Sequence, residues 1–253
     1  MNAEELRTSI SPLTLHHSTG NFLLDLLESE SAFRITGKMQ TVTFRLGEVL
    51  YEPGDVIHAA YFPTTAIVSV LHIIENGRMA EVAVIGNDGM FGIPLFLGGI
   101  TTTGRAVIQS GGHAFKLNAE DLQSEFSNGG RFQKILLRYT QAMMTHTSQN
   151  VVCNRLHEVH EQLCKWLLLM HDRLKSADVK MTHELVANML GVRREAVTVA
   201  AQRLAAQKLI RNTRGIITVL DRSGLENSAC ECYSVVNLEH NRLLGRGISR
   251  VFA

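Results

Sequence analysis

Between residues 39 and 117 the apolar positions fall in short runs, alternating with polar ones and separated by glycine-bearing turns. Runs at 40–44, 49–51, 60–62, 66–74, 79–85, 105–109 and 113–117 have the length and composition of β-strands. The turns are explicit at Glu52-Pro53-Gly54-Asp55, Glu75-Asn76-Gly77-Arg78 and Gly86-Asn87-Asp88-Gly89. Asn76-Gly77 between two apolar runs predicts a two-residue hairpin, because both residues tolerate positive φ. Short strands at this spacing predict a closed antiparallel sandwich or barrel.

On both sides the period changes from two to between three and four. Residues 21–28 predict a short helix with one apolar face, after a mixed, poorly ordered start over residues 1–20. Asn118 is placed to cap another short helix, and residues 131–154 predict a long one. In the long helix Ile135, Leu136, Tyr139, Ala142, Met143, His146, Asn150 and Cys153 approximate the 3–4 spacing of a helix that pairs with its twin. Leu136, Tyr139 and Met143 are the expected seam, and packing against the chain's own barrel is the alternative. The stripe turns polar after Met144. A further helix over 156–174 carries Leu163, Trp166, Leu167 and Met170 as a packing face.

Residues 181–214 then read as two short helices around a tight turn. Thr182 is an N-cap, Leu185, Val186, Met189 and Leu190 form one apolar face, and Gly191 ends the helix. The second helix, 193–207, turns Ala196, Val197, Ala200, Ala201, Leu204 and Ala205 inward and leaves Arg193, Arg194, Glu195, Thr198 and Gln202 outward. A small-residue helix presenting Arg and Glu at its N-terminal end is the arrangement by which a helix-turn-helix enters a DNA major groove. Arg211 to Leu220 reads as a hairpin, or wing.

Charge separates this reading from a helical hairpin that merely fills a core. The whole chain has a net charge of +1 over 253 residues, which says nothing alone. Residues 181–220, however, hold six Lys/Arg against two acids, whereas residues 1–180 are net −3 and 221–253 neutral. The basic surplus sits on the helix-turn-helix, as a phosphate-binding footprint should. Hydrophobic content of 45% and the absence of a run of about eighteen apolar residues exclude a membrane span. The first ten residues lack a signal-peptide pattern, and four cysteines form no disulfide framework, so a reduced, cytoplasmic protein is expected.

A glycine-punctuated β-domain, a long helix and a C-terminal winged helix-turn-helix, in this order, resemble the Crp/Fnr superfamily of bacterial transcription regulators. The most specific stretch is Leu185-Val-Ala-Asn-Met-Leu-Gly-Val-Arg-Arg-Glu-Ala-Val-Thr-Val199; Arg45-Leu-Gly-Glu-Val-Leu-Tyr-Glu-Pro-Gly-Asp55 adds to it. The resemblance implies an α+β protein: an N-terminal antiparallel β-roll of the jelly-roll type, a long dimerisation helix and a C-terminal winged helix-turn-helix. It implies a roll with flanking helices over 1–130, a dimer helix over 131–153, a DNA-binding domain over 154–225 and a C-terminal extension over 226–253. The implied partners are double-stranded DNA bearing a palindromic operator, a second copy of the chain, RNA polymerase and an unidentified small effector. No cofactor is expected.

By position, Arg194 and Glu195 match family residues that read base edges. An Arg can bind guanine N7 and O6, and a Glu can accept from cytosine N4. Thr198 lies one turn further along, and Val199 stands where many members carry an Arg. Thr182, His183, Arg193 and, in the wing, Arg214 match phosphate contacts.

Members that bind cyclic nucleotides use a Gly-Glu pair for the ribose and an Arg-Ser/Thr pair for the phosphate. Here Gly92 is followed by Ile93, and Arg105 by Ala106, so cyclic AMP binding by the usual contacts is not expected. Fnr-like iron–sulfur sensors use cysteines near the N-terminus, and none precedes Cys153. His157, His160 and Cys164 could offer a metal-binding face to a redox or metal sensor. Without a fourth ligand in register, ordinary helix residues are preferred, as are small apolar roles for Cys230 and Cys232. A cupin-like metal enzyme would need clustered histidines, but His58, His72 and His113 are isolated, and no catalytic motif occurs.

Overall fold

The short apolar runs along residues 40–118 form seven strands that all contribute to one core. In the computed structural model, which describes residues 18–174 and 176–245, these are β1 (Gln40–Phe44), β2 (Val49–Tyr51), β3 (Ala59–Pro63), β4 (Ile67–Ile73), β5 (Met79–Ile85), β6 (Arg105–Ser110) and β7 (Gly112–Asn118). Each lies within one residue of its expected ends. They form two antiparallel sheets, ordered β1-β7-β3 and β2-β6-β4-β5. Phe44, Phe62, Val68, Ala106, Ile108 and Leu117, drawn from both sheets, are buried together. The β4–β5 turn differs from expectation. Ile73 pairs with Met79, Ile74 bonds to Arg78, and Gly77 donates to the Ile74 carbonyl from a positive φ. Glu75-Asn76-Gly77 is therefore a three-residue loop in which glycine supplies the left-handed position.

Helices flank the roll. α1 (Phe22–Asp25) is capped by the Asn21 side chain, whose Nδ2 also donates to the carbonyls of Pro63 and Gly89, fastening the helix to the roll. α2 (Ser29–Thr36) has no counterpart among the expected elements, since among its described side chains only Ile35 is fully buried. It is tied to α3 (Ala119–Ser127) by Arg34 and Lys38, which both pair with the buried Glu125 at 3.0 Å. Asn118 stands at the N-cap of α3 without a side-chain capping bond. The expectations for residues 1–17 and for 246–253 of the extension lie outside the described residues.

The long helix α4 (Gly130–Leu156) corrects the expected seam. Leu136 and Tyr139 are buried in the chain's own roll core, Met143 packs against it, and the Tyr139 hydroxyl donates to the Met90 carbonyl at 3.1 Å. Leu136 and Tyr139, at 0% and 1% exposure, are enclosed by the chain's own roll, while Met143 is only partly buried. The apolar residues α4 does expose include Leu137, Met144 and Val151, seven apart. The 3–4 pattern in the first half of α4 is the roll's floor.

α4 continues to Leu156, and α5 (Val159–Arg173) begins after a two-residue break sealed by a Glu158–Glu161 capping box. β8 (Asp178–Val179), α6 (His183–Leu190), α7 (Arg194–Ala206), β9 (Ile210–Thr213) and β10 (Ile216–Val219) follow, with the wing strands ordered β8-β10-β9. Leu163, Trp166, Leu167 and Met170 of α5 share a core with Val186, Val197, Ala201, Leu204 and Ile217. α8 (Arg222–Ser228) leads to α9 (Cys232–Leu244), which runs back along α4 and places Leu244 in the roll core. Among the described residues no helix is long and apolar enough to cross a membrane.

The helix-turn-helix unit is docked on the roll. Trp166 Nε1 donates to Glu81 Oε1 at 3.2 Å, and Arg173 pairs with Asp88 at 2.8 Å, both side chains nearly buried. Gly191, at φ 68°, lies so close to β5 that an added Cβ would sit 3.3 Å from Ala80.

Candidate nucleic-acid interface and effector cavity

Local sequence signals shape α6 and α7 residue by residue. Thr182 caps α6 by accepting from Leu185 N, and Gly191 closes it in the left-handed conformation. Arg193 takes the N-cap of α7, so Arg194 and Glu195 open the helix, exposed. Val197, Ala200, Ala201 and Leu204 are buried, while Val199 is 65% exposed on the outer face. The positive end of the helix dipole and the exposed Arg193 and Arg194 make a surface suited to a polyanion, with Glu195 beside them as an acceptor. Arg214 sits in the turn between β9 and β10, exposed at the wing tip.

Two of the expected contact residues, His183 and Thr198, meet each other. His183 Nδ1 lies 3.0 Å from Thr198 Oγ1, and His183 Nε2 lies 2.7 Å from Asn212 Nδ2. Thr198 Oγ1 also lies 3.1 Å from the Arg194 carbonyl. One assignment satisfies all three contacts: Asn212 donates to Nε2, Nδ1–H donates to Thr198, and the threonine hydroxyl donates to the backbone. Both side chains are part-buried, and they join α6, α7 and the wing into one unit.

A cavity of about 670 Å³ opens between the roll and α4. Its wall is largely apolar, with Val70, Ala83, Ile85, Met90 and Phe91 from the roll and Met143 and Met144 from α4. Polar groups come from His72, Thr101, Thr102, Thr103, Thr140 and Ser148. Gly92 and Ile93 line it. Arg105 does not: its guanidinium grips Glu52 at 2.6 and 2.8 Å in a two-pronged pair. The phosphate-binding charge anticipated at Arg105 is thus committed elsewhere, and Ile93 puts a hydrocarbon where a ribose contact would be needed.

The residues in the suggested metal-binding face separate. Cys164 is fully buried in the helix-turn-helix core, where burial pushes its thiol up to about 12. His160 lies beside Glu158 and Arg203. His157 belongs to the end of α4, not to α5, and faces a different set. Cys153, His157, Cys230 and Cys232 bring one ligand atom each to within 4.8 Å of one another. Two short patterns, Cys-x3-His at a helix end and Cys-x-Cys before another helix, signalled this cluster. They went unpaired because they lie over seventy residues apart and the α4–α5 break falls later than the apolar pattern suggested.

Family comparison matches residues 41–128 to the cyclic nucleotide-binding domain and residues 161–228 to the Crp-like helix-turn-helix domain. A global nitrogen regulator from Synechococcus elongatus is 22% identical over 193 residues, spanning 72% of this chain and 86% of that protein. In fold, the chain is similar to FixK2 from Bradyrhizobium japonicum (TM-score 0.66, 18% identity, 76% of this chain and 98% of that one). It is also similar to a CRP-family transcriptional regulator from Thermus thermophilus (TM-score 0.63, 20% identity, 74% and 96%). Both family models lie in order on one chain, and the exposed α7 stands where a reading helix must. The protein belongs to the Crp/Fnr superfamily and is a transcription regulator that joins a cyclic nucleotide-binding-type roll to a DNA-binding helix-turn-helix.

Proposed function

We propose that the protein is a homodimer that reads a palindromic operator through α7, with Arg194 and Glu195 as base readers and Arg193, Thr182 and Arg214 on phosphates. The observation that carries this is the exposure of Arg193, Arg194 and Glu195 at the N-terminal end of a helix whose opposite face is wholly buried. Thr198 and His183 act by positioning: they hold the reading helix against α6 and the wing. Each well-formed Arg–guanine pair discriminates by about 1–3 kcal/mol, and a dimer uses it twice. Arg194→Ala is therefore expected to remove operator specificity, measured by titrating operator and scrambled duplexes at fixed salt, while dimer and residual phosphate binding persist. Unchanged discrimination would refute the base-reading role.

The dimer forms along the exposed Leu137, Met144 and Val151 stripe of α4. The same helix supplies Thr140, Met143, Met144, Thr147 and Ser148 to the cavity. A ligand there touches the dimer helix directly, and its volume suits a small molecule. Its wall favours a mainly apolar effector with a few hydroxyl contacts over a cyclic nucleotide.

A further inference from the structure

The end of α4, the loop after α8 and the first turn of α9 converge on one small volume. Cys153 and His157 are four residues apart and so share a helix face. Cys230 and Cys232 flank Glu231 at the N-cap of α9. The three cysteines are buried and cluster with each other, apart from both larger cores. Cys153 Sγ lies 3.6 Å from Cys230 Sγ, and Cys232 Sγ lies 3.4 Å from His157 Nδ1. A tetrahedral zinc with Zn–S of about 2.3 Å and Zn–N of about 2.05 Å separates its ligands by about 3.8 Å (S to S) and about 3.6 Å (S to N). The side chains therefore stand at nearly the spacing one ion requires.

The surroundings fit a cation as well. His157 Nε2 lies 3.3 Å from Glu231 Oε2, so the outer ring nitrogen has a carboxylate while Nδ1 points into the cluster. That is the carboxylate–histidine pairing that orients metal-binding imidazoles. Gln149 Nε2 donates to Cys232 Sγ at 3.2 Å. Lys165, 5% exposed, bonds Asn150 at 2.7 Å and has no carboxylate within ion-pair distance among the described residues. Three thiolates on a divalent cation carry one net negative charge, which this buried ammonium balances.

We propose that Cys153, His157, Cys230 and Cys232 form a mononuclear zinc site that staples α9 to the hinge between α4 and α5. Each thiol gives up its proton on binding. All four positions are filled by protein, so the site is structural, with no open position for chemistry. Thiolate-rich ligation with one imidazole selects zinc over hard cations. An iron–sulfur cluster would need its cysteines spread around several irons, farther apart than these atoms lie. The site sits two residues before the helix that carries the reading head, so it fixes where the C-terminal helix meets that hinge.

The test uses full-length protein loaded with zinc sulfate under a thiol reductant, passed through gel filtration and assayed for metal. One zinc per chain is expected, with cobalt substitution giving the intense visible spectrum of tetrahedral thiolate coordination. Cys153→Ser, Cys230→Ser and Cys232→Ser should each lower zinc affinity at least about a hundredfold, and Glu231→Gln about tenfold. Cys164→Ala should keep the metal. His157→Ala should lose it while His157→Cys retains it, which separates ligation from folding. Folded protein that binds no zinc overturns the proposal. So do zinc content indifferent to these substitutions, iron with acid-labile sulfide, and a Cys153–Cys230 disulfide that survives the reductant.

Discussion

Arg194 and Glu195 could be picked out from sequence because their placement is local: they open α7, and both are exposed there. Thr198 and His183 were also legible as candidates, but not their contact with each other, since the third partner, Asn212, comes from the wing and only folding brings the three together. Glu81 is the residue whose environment most changes its chemistry. Burial raises its carboxyl to about 7, against bonds from Ser69 and Trp166 that favour the charged form. A folded-state pKa above the unfolded value means the native state holds the proton more tightly. The associated stabilisation is full below about pH 4.5 and lost as pH rises through about 7. Glu81→Gln should therefore gain stability relative to the parent as pH rises from 5 to 8, by up to about 3 kcal/mol, read as the difference in melting temperature. Comparing the pair cancels His146, whose buried imidazole is held down at about 3 and so contributes the opposite slope, losing stability in acid. An equal gap at both pH values would mean that Glu81 ionises normally.

Among elements, α4 shows why periodicity can be right and its interpretation wrong. A stripe at 3–4 spacing says that one face of a helix is covered, not by what. Leu136 and Tyr139 are covered by the roll, and the neighbouring stripe one position along, through Leu137, Met144 and Val151, stays exposed. Met144→Glu should convert the dimer to monomer at micromolar concentration with little change in melting temperature, by light scattering and calorimetry. Leu136→Ala should instead cost about 2–5 kcal/mol of fold stability. A Met144→Glu protein that remains dimeric would place the interface elsewhere. The β4–β5 loop makes a similar point on a smaller scale: Asn76-Gly77 marks a hairpin, but Ile73 and Met79 pair, and that register decides that three residues turn the corner.

At the scale of the whole molecule, α9 lies along α4, with Leu244 in the roll core and Cys232 beside Cys153. Ending the chain at Ser228 should lower the melting temperature and expose Cys153, now 0% exposed, to thiol reagents. An unreactive Cys153 in that truncation would show that α9 is not its cover. Cyclic AMP should shift neither melting temperature nor operator affinity, because Arg105 is held by Glu52 and Ile93 offers no acceptor. A clear shift would require a nucleotide pose built on other cavity residues. The sequence by itself determined the strands, the helix-turn-helix and the charged reading edge, since alternation, capping residues and a glycine at a left-handed turn act within a few neighbouring positions. Tertiary structure alone decided which face of α4 is buried, that Arg105 serves Glu52, and that four Cys and His side chains from the end of α4 and the start of α9 meet at one hinge. Those outcomes depend on contacts between distant segments, and no local pattern encodes which distant surface will arrive.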